Sequence, residues 1–316
     1  MSDGREELSL DVRQRIVNIP TLMFVALLVL VSAVPGSMAA RTKMSSPVPF
    51  IAAVIMVELV FQFHLRDKKK RRTAKDICGI VFSFLIAWEI ITTKLDLFPF
   101  IFVPAPENVF AVYVLDWHLI VTGFFRSMFL LFTGFSGSLF LGVALGIAVG
   151  WIPRLRESIF PIAKTISTVP AMIYGPYIVV IMPTFTSASI FVIFCGTFWS
   201  LFMNMINRVG TVDKRIINTA KVLNVKTRTM LFNIILPYTL PRIINDLTVS
   251  LSISIMTLTV AEMIGADRGM GFYVKRSLDY ANYTQAFAGI FFIALVITFL
   301  NVLIALLRAR LIKWSY

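Results

Sequence analysis

Charge is scarce in this chain, and so are the residues of catalytic chemistry. Charged residues make up 15% of the 316 positions and hydrophobic ones 58%. A soluble domain carries about a quarter charged residues, so a water-soluble globular fold is excluded. Cysteine and histidine occur twice each, as Cys78, Cys195, His64 and His118. Neither cysteine has a Cys or His at ligand spacing. Both stand in apolar stretches and read as small buried hydrophobes, which leaves no metal centre. No G-x4-G-K-[ST] phosphate loop, G-x-S-x-G elbow, H-E-x-x-H pair or Cys-x-x-Cys occurs. The chain therefore lacks the motifs for nucleotide hydrolysis, acyl transfer, zinc proteolysis or dithiol chemistry. Internal repeats and low-complexity linkers are absent too.

What is present is a series of long apolar runs: about 20–40, 48–65, 77–93, 119–150, 159–182, 188–207, 234–264 and 284–307. A bilayer is crossed by roughly 17–25 apolar residues in a helix, so the expected fold is all-α: a polytopic bundle of about eight transmembrane helices. The first run reads as an uncleaved span rather than a signal peptide, since a second apolar run follows directly. The one break in composition is the basic stretch around 66–75, which sets a two-span hairpin (1–66) apart from a six-span body (77–316).

The net charge of +13 suggests nucleic acid, but its placement does not. Arg66, Lys68, Lys69, Lys70, Arg71, Arg72 and Lys75 share one loop between spans, the pattern of a cytoplasmic face, where they also suit anionic lipid head groups. With eight crossings, 21 Lys and Arg residues fall on the side holding both termini and six on the other. By the positive-inside rule both termini and the 208–233 loop are cytoplasmic.

That loop carries a patterned polar segment, DKRIINTAKVLNVKTRTMLFN, from Asp213 to Asn233. Asp213 suits an N-cap, and Ile216, Ile217, Ala220 and Leu223 or Asn224 recur at helical spacing. Ala220 is followed four residues later by Asn224, and ten residues after that by Ile-x-Leu-Pro (Ile234, Leu236, Pro237). An amphipathic helix lying on lipid has the same periodicity. On the opposite side, Pro104 and Pro106 bar a continuous helix, and Val109, Phe110, Val112 and Tyr113 suggest a short interfacial one.

The loop resembles the coupling loop of ATP-binding-cassette (ABC) importer permeases, which reads E-A-A-x3-G-x9-I-x-L-P. Asn218, Thr219 and Ala220 stand for Glu-Ala-Ala, and Asn224 stands for the Gly, being the residue that best tolerates the left-handed conformation after Gly. The likeness extends over roughly 77–310. Trp88-Glu89, Pro104-Ala105-Pro106, the GVALGIAVG run from Gly142 to Gly150, Val260 to Gly265 and Gly269-Met270-Gly271 resemble segments of the nitrate, sulfonate and taurine permeases. Residues 1–66 have no counterpart in the usual six-span body. The resemblance implies a permease in the bacterial inner membrane that binds no cofactor itself. Its partners would be an ATP-binding subunit using ATP and Mg, an extracytoplasmic substrate-binding protein, and a second copy or a similar permease; nucleic acid is not among them. It assigns ATPase coupling to Ile217, Asn218, Thr219, Ala220, Lys221, Leu223 and Asn224. An ion-gradient-driven transporter and a membrane protein with no transport role are the alternatives. The former predicts inverted repeats, which are not visible.

Within the spans, Gly134, Gly137, Gly142, Gly146 and Gly150 mark a close helix contact, either between chains or within one. Pro170, Gly175 and Pro176 interrupt the fifth run, a break that belongs where backbone is buried or lines a cavity. Arg126, Lys164 and Arg242 fall within spans, and Glu58 is expected to face a neighbouring helix. Glu89 and Glu262 lie near the external ends of their spans, and Arg242 and Asp246, four apart, are expected to pair. Candidates to line a solute path are Pro170, Tyr174, Trp199, Asn204, Ser254, Thr257 and Glu262.

Overall fold

The computed structural model describes residues 18–34, 46–65, 67, 71–99 and 102–311. Arg5, Arg13, Arg15, Arg41, Lys43, Arg66, Lys68, Lys69, Lys70 and Lys313, part of the orientation count, lie outside them. The described residues form helices and turns without strands, grouped in two compact units.

The first unit comprises residues 1–118 and 277–288. Its helices are α1 (Ile19–Ala33), α2 (Val48–His64), α3 (Arg71–Glu89) and the short α4 (Pro106–Leu115). Asn18 caps α1 by accepting the Thr21 N–H at 3.4 Å. Prolines trim the first two runs. Val34, which precedes Pro35, is extended and ends α1, as the residue before proline should be, and Pro47 stands at the N-cap of α2. The resulting helices of 15 and 17 residues measure about 23 and 26 Å at 1.5 Å per residue, short of the ~30 Å hydrocarbon thickness. Leu27, Phe50, Val54 and Phe82 knit α1, α2 and α3 together. Glu58 does face a neighbour: one oxygen accepts the Thr21 hydroxyl of α1 at 3.0 Å and the Gln62 amide at 2.6 Å.

A π-turn, Ile90–Lys94, extends α3. The Trp88 indole N–H donates to the Pro104 carbonyl at 3.0 Å, and Pro106 opens α4 at its first position, where no N–H is needed. The Trp-Glu and Pro-Ala-Pro segments therefore touch, and they bury an acid pair. Glu89 and Glu107 are 0% and 1% exposed. The Thr93 hydroxyl lies 3.2 Å from one carboxyl and 3.4 Å from the other, and Lys94 lies 3.1 Å from Glu89. Burial first, then the neighbouring Glu89, pushes Glu107 up to about 7.

The second unit comprises residues 119–276 and 289–316. It is built on α5 (Trp117–Trp151), α6 (Pro153–Ser167), α7 (Ala171–Ile181), α8 (Phe185–Gly210), α9 (Lys214–Val222), α10 (Leu236–Gly265), α11 (Met270–Asp279) and α12 (Tyr283–Leu311). A one-turn helix and a π-turn, Thr227–Thr229 and Met230–Ile235, lead into α10. The main core joins α5, α8, α10 and α12 through Leu130, Leu131, Ile193, Ile255, Leu258 and Leu300.

Among the described residues five helices are long and apolar enough to cross a membrane, and α6 with α7 makes a sixth, bent by 88°. The expected eight runs thus resolve into these six and the two short helices α1 and α2. The bend comes at Pro170, the N-cap of α7, whereas Pro176 sits inside α7 without breaking it.

The glycine stripe serves contact within the chain. A methyl group on Gly146 would lie 2.5 Å from Met205 Cβ and 3.0 Å from the Phe202 carbonyl, and Gly134, Gly142 and Gly150 likewise face α8. Asp246 pairs with Arg208 of α8, not with Arg242 as expected. The contact across two helices offers the aspartate a guanidinium that four-residue spacing alone did not reveal.

Candidate functional site

The 208–233 loop folds as a short helix with chemically defined ends. Asp213 caps α9 by accepting the Arg215 N–H at 2.8 Å. At the other end Asn224 adopts φ +55°. Its N–H donates to the Lys221 carbonyl at 2.9 Å, and the Val225 N–H donates to the Ala220 carbonyl at 3.0 Å. These two bonds and a left-handed residue define a Schellman cap, with asparagine in the place usually held by glycine. Val225 also packs in the cluster containing Ala220, the apolar contact that accompanies such a cap.

Helix α9 has two distinct faces. Ala220 is 5% exposed and sits with Ile147 of α5, Met205 and Val209 of α8, Met230, and Ile243 of α10; Ile217 packs on the same cluster. Asn218, Thr219, Lys221, Leu223 and Asn224 are exposed. Val222, 86% exposed, and Leu223, 71% exposed, form an apolar spot among Lys221, Lys226 and Arg228. Ala220 is thus the residue that seats the helix on its own chain. Val222 escaped sequence reasoning, although its phase opposite the Ile217–Ala220 stripe was readable on a helical wheel.

The other candidates do not gather in one place. Ala171, directly after Pro170, meets Gly196 of α8 and Thr257 of α10: a methyl on Gly196 would lie 3.1 Å from Ala171 Cβ and 3.3 Å from the Thr257 hydroxyl. Tyr174 packs beside Ala171, Val192 and Ala261, so Pro170, Tyr174 and Thr257 surround one joint of α7, α8 and α10. Trp199 belongs to a different cluster, with Phe198, Phe202 and Ala163. Asn204 is half-buried on α8. The Ser254 and Thr257 hydroxyls donate to carbonyls of their own helix, at Ser250 and Ile253, 2.8 and 2.9 Å away.

Glu262 is 1% exposed and fully engaged. The Ser127 hydroxyl donates to one oxygen at 2.6 Å, and the Gly271 N–H donates to the other at 2.7 Å. Ser127 in turn accepts the Met270 N–H at 2.9 Å. Gly269 has φ +136°, and a Cβ there would collide with the Glu262 carboxyl.

Stacked apolar helices, one of them broken, with a capped amphipathic helix seated at one end, have the make-up of a multi-pass membrane protein. Residues 138–314 match the family described as the binding-protein-dependent transport system inner membrane component, and the chain belongs to that family. It is 29% identical over 174 residues to SsuC, assigned to aliphatic sulfonates transport in Bacillus subtilis (strain 168), spanning 55% of this chain and 63% of that one. It is 28% identical over 247 residues to the taurine transport system permease protein TauC of Escherichia coli (strain K12), covering 75% and 88%. The nitrate import permease protein NrtB of Leptolyngbya laminosa is 25% identical over 211 residues, covering 62% and 76%. The chain is thus a multi-pass inner-membrane permease of the ABC importer class.

Proposed function

We propose that this permease carries a small solute inward by alternating access, driven through α9 by a separate ATP-binding subunit that uses ATP and Mg. The single observation behind the proposal is the two-sidedness of α9. Ala220 and Ile217 are anchored among the ends of α5, α8 and α10, while Val222 and Leu223 stand exposed. A push on the exposed face has a rigid seat through which to act, whereas a helix merely floating on lipid needs no such seat. Orientation follows the basic residues: the 208–233 loop and both termini are cytoplasmic. On that reading an extracytoplasmic binding protein delivers the solute at the opposite face, and a second copy or a similar permease completes the path. The names of the relatives favour a small sulfonate, taurine or nitrate-like solute.

The joint of α7, α8 and α10 is our candidate for the solute path, with Pro170, Tyr174 and Thr257 around it and Trp199, Asn204 and Ser254 along the same helices. A broken helix beside it leaves backbone that can line a cavity. Glu262, with both oxygens engaged within the chain, is left out of the contact set. We divide the chain into an added hairpin, 1–66, and a permease body, 77–316.

Copurification of the ATP-binding subunit with wild type and Leu223→Asp, together with ATP-dependent uptake in proteoliposomes, tests the reading. Loss of both in the variant supports it. Uptake driven by an ion gradient with no ATPase present overturns it.

A further inference from the structure

Helices α5 and α10 each carry two special contacts, one near each end. At one end Ile147 of α5 and Ile243 of α10 share the apolar cluster that seats Ala220. At the other, Ser127 of α5 and Glu262 of α10 meet over the start of α11. Residues 127 and 147 are about 30 Å apart along a helix rising 1.5 Å per residue.

The second contact has the features of a latch. Both side chains are engaged twice. The serine hydroxyl donates to the glutamate and accepts from Met270, and the second carboxyl oxygen accepts from Gly271. Ser127 is 0% exposed and Glu262 1%, so water does not compete for these bonds. The fit leaves no slack. A methyl on Gly271 would strike the Thr259 carbonyl, one on Gly269 would strike the Glu262 carboxyl, and one on Gly123 would sit 3.2 Å from the Gly269 carbonyl carbon. Buried, fully satisfied polar networks of this kind fix one arrangement of the elements they join.

We propose that Ser127 and Glu262 are positioning residues that lock α11 to α5 and α10, so that events at α11 reach the ATPase-docking helix α9 through those two spans. The inference rests on the importer reading above and adds the external end of its coupling path. It makes Glu262 a transmission element instead of a solute ligand. The carboxyl does not touch the solute, and its loss uncouples the two faces while the solute path stays intact.

The test uses the whole complex in proteoliposomes, with the binding protein added outside and ATP hydrolysis measured with and without it. In Ser127→Ala, Glu262→Gln and Gly269→Ala, basal hydrolysis is retained. The stimulation by loaded binding protein falls roughly fivefold or more, the scale of a modest coupling free energy. The maximal uptake rate falls with it while the solute concentration for half-maximal uptake is unchanged. A rise in that half-maximal concentration at unchanged maximal rate in Glu262→Gln marks a solute ligand and overturns the proposal, as does full stimulation in all three variants. If wild type shows no stimulation, the importer reading fails and takes this inference with it. Should the variants not fold, hydrogen exchange on wild type decides. Met270 and Gly271 amides at least as slow as the helix interior support the latch, and fast exchange overturns it.

Discussion

Replacing Asn224 tests the cap of the docking helix. Asn224 holds φ +55°, a region that costs a residue with a Cβ roughly 1–2 kcal/mol, less for asparagine and nothing for glycine. Asn224→Val places a β-branched side chain there, so the capped state should lose about 1–2 kcal/mol relative to the frayed one. At 1.36 kcal/mol per factor of ten, that is roughly a tenfold shift in population. Asn224→Gly restores the residue usual at this position, and its greater unfolded-state entropy, about 0.5–1 kcal/mol, offsets most of the gain. The assay is amide exchange in nanodiscs, read at Asn224 and Val225, whose N–H groups donate to Lys221 and Ala220. We expect exchange about tenfold faster in Asn224→Val and within about threefold of wild type in Asn224→Gly. Unchanged exchange in the valine variant would refute the argument, because the left-handed geometry would then not be what holds the cap together.

The acid pair gives a pH dependence. Because Glu107 is raised from 4.5 to about 7, its contribution to stability is whole below about 4.5 and is lost as pH rises through about 7. Glu107→Gln should flatten the fall in thermal stability between those values, which melting curves at pH 5 and 8 will check. The two faces of α9 predict opposite failures. Ala220→Asp buries a charge in an apolar cluster and should cost several kcal/mol, seen as a lowered melting temperature. Leu223→Asp, on an exposed site, should leave melting within about 0.5 kcal/mol and abolish only ATPase copurification. Gly146→Val collides with Met205 and the Phe202 carbonyl and should destabilise by about 1–3 kcal/mol, measured by denaturation in detergent.

Features set by local chemistry were legible in the sequence. The break before α7 follows from Pro170, the left-handed turn from Asn224, and the start of α9 from Asp213, each a property of one residue and its near neighbours. Features decided by distant parts of the chain were not. Arg242 looked like the partner of Asp246 because helical spacing favours it, yet Arg208, 38 positions away, supplies the contact. Glu262 meets Ser127, which stands 135 positions away with no motif to announce the contact. Glu89 stood out in the sequence and Glu107 did not, and only the fold of the Pro-Ala-Pro segment against Trp88 buries them together. The glycine stripe announced a close contact without saying whether the other helix belonged to the same chain.

The measurement nearest the central claim is disulfide cross-linking from a cysteine at Val222 or Leu223, on a background lacking Cys78 and Cys195, in the assembled complex. The account predicts a cross-link to an ATP-binding subunit carrying a cysteine in its docking groove, with a yield that changes when ATP is added. Cysteines at both positions that react only with aqueous or lipid-borne reagents, with no nucleotide-binding subunit beside them, would contradict it.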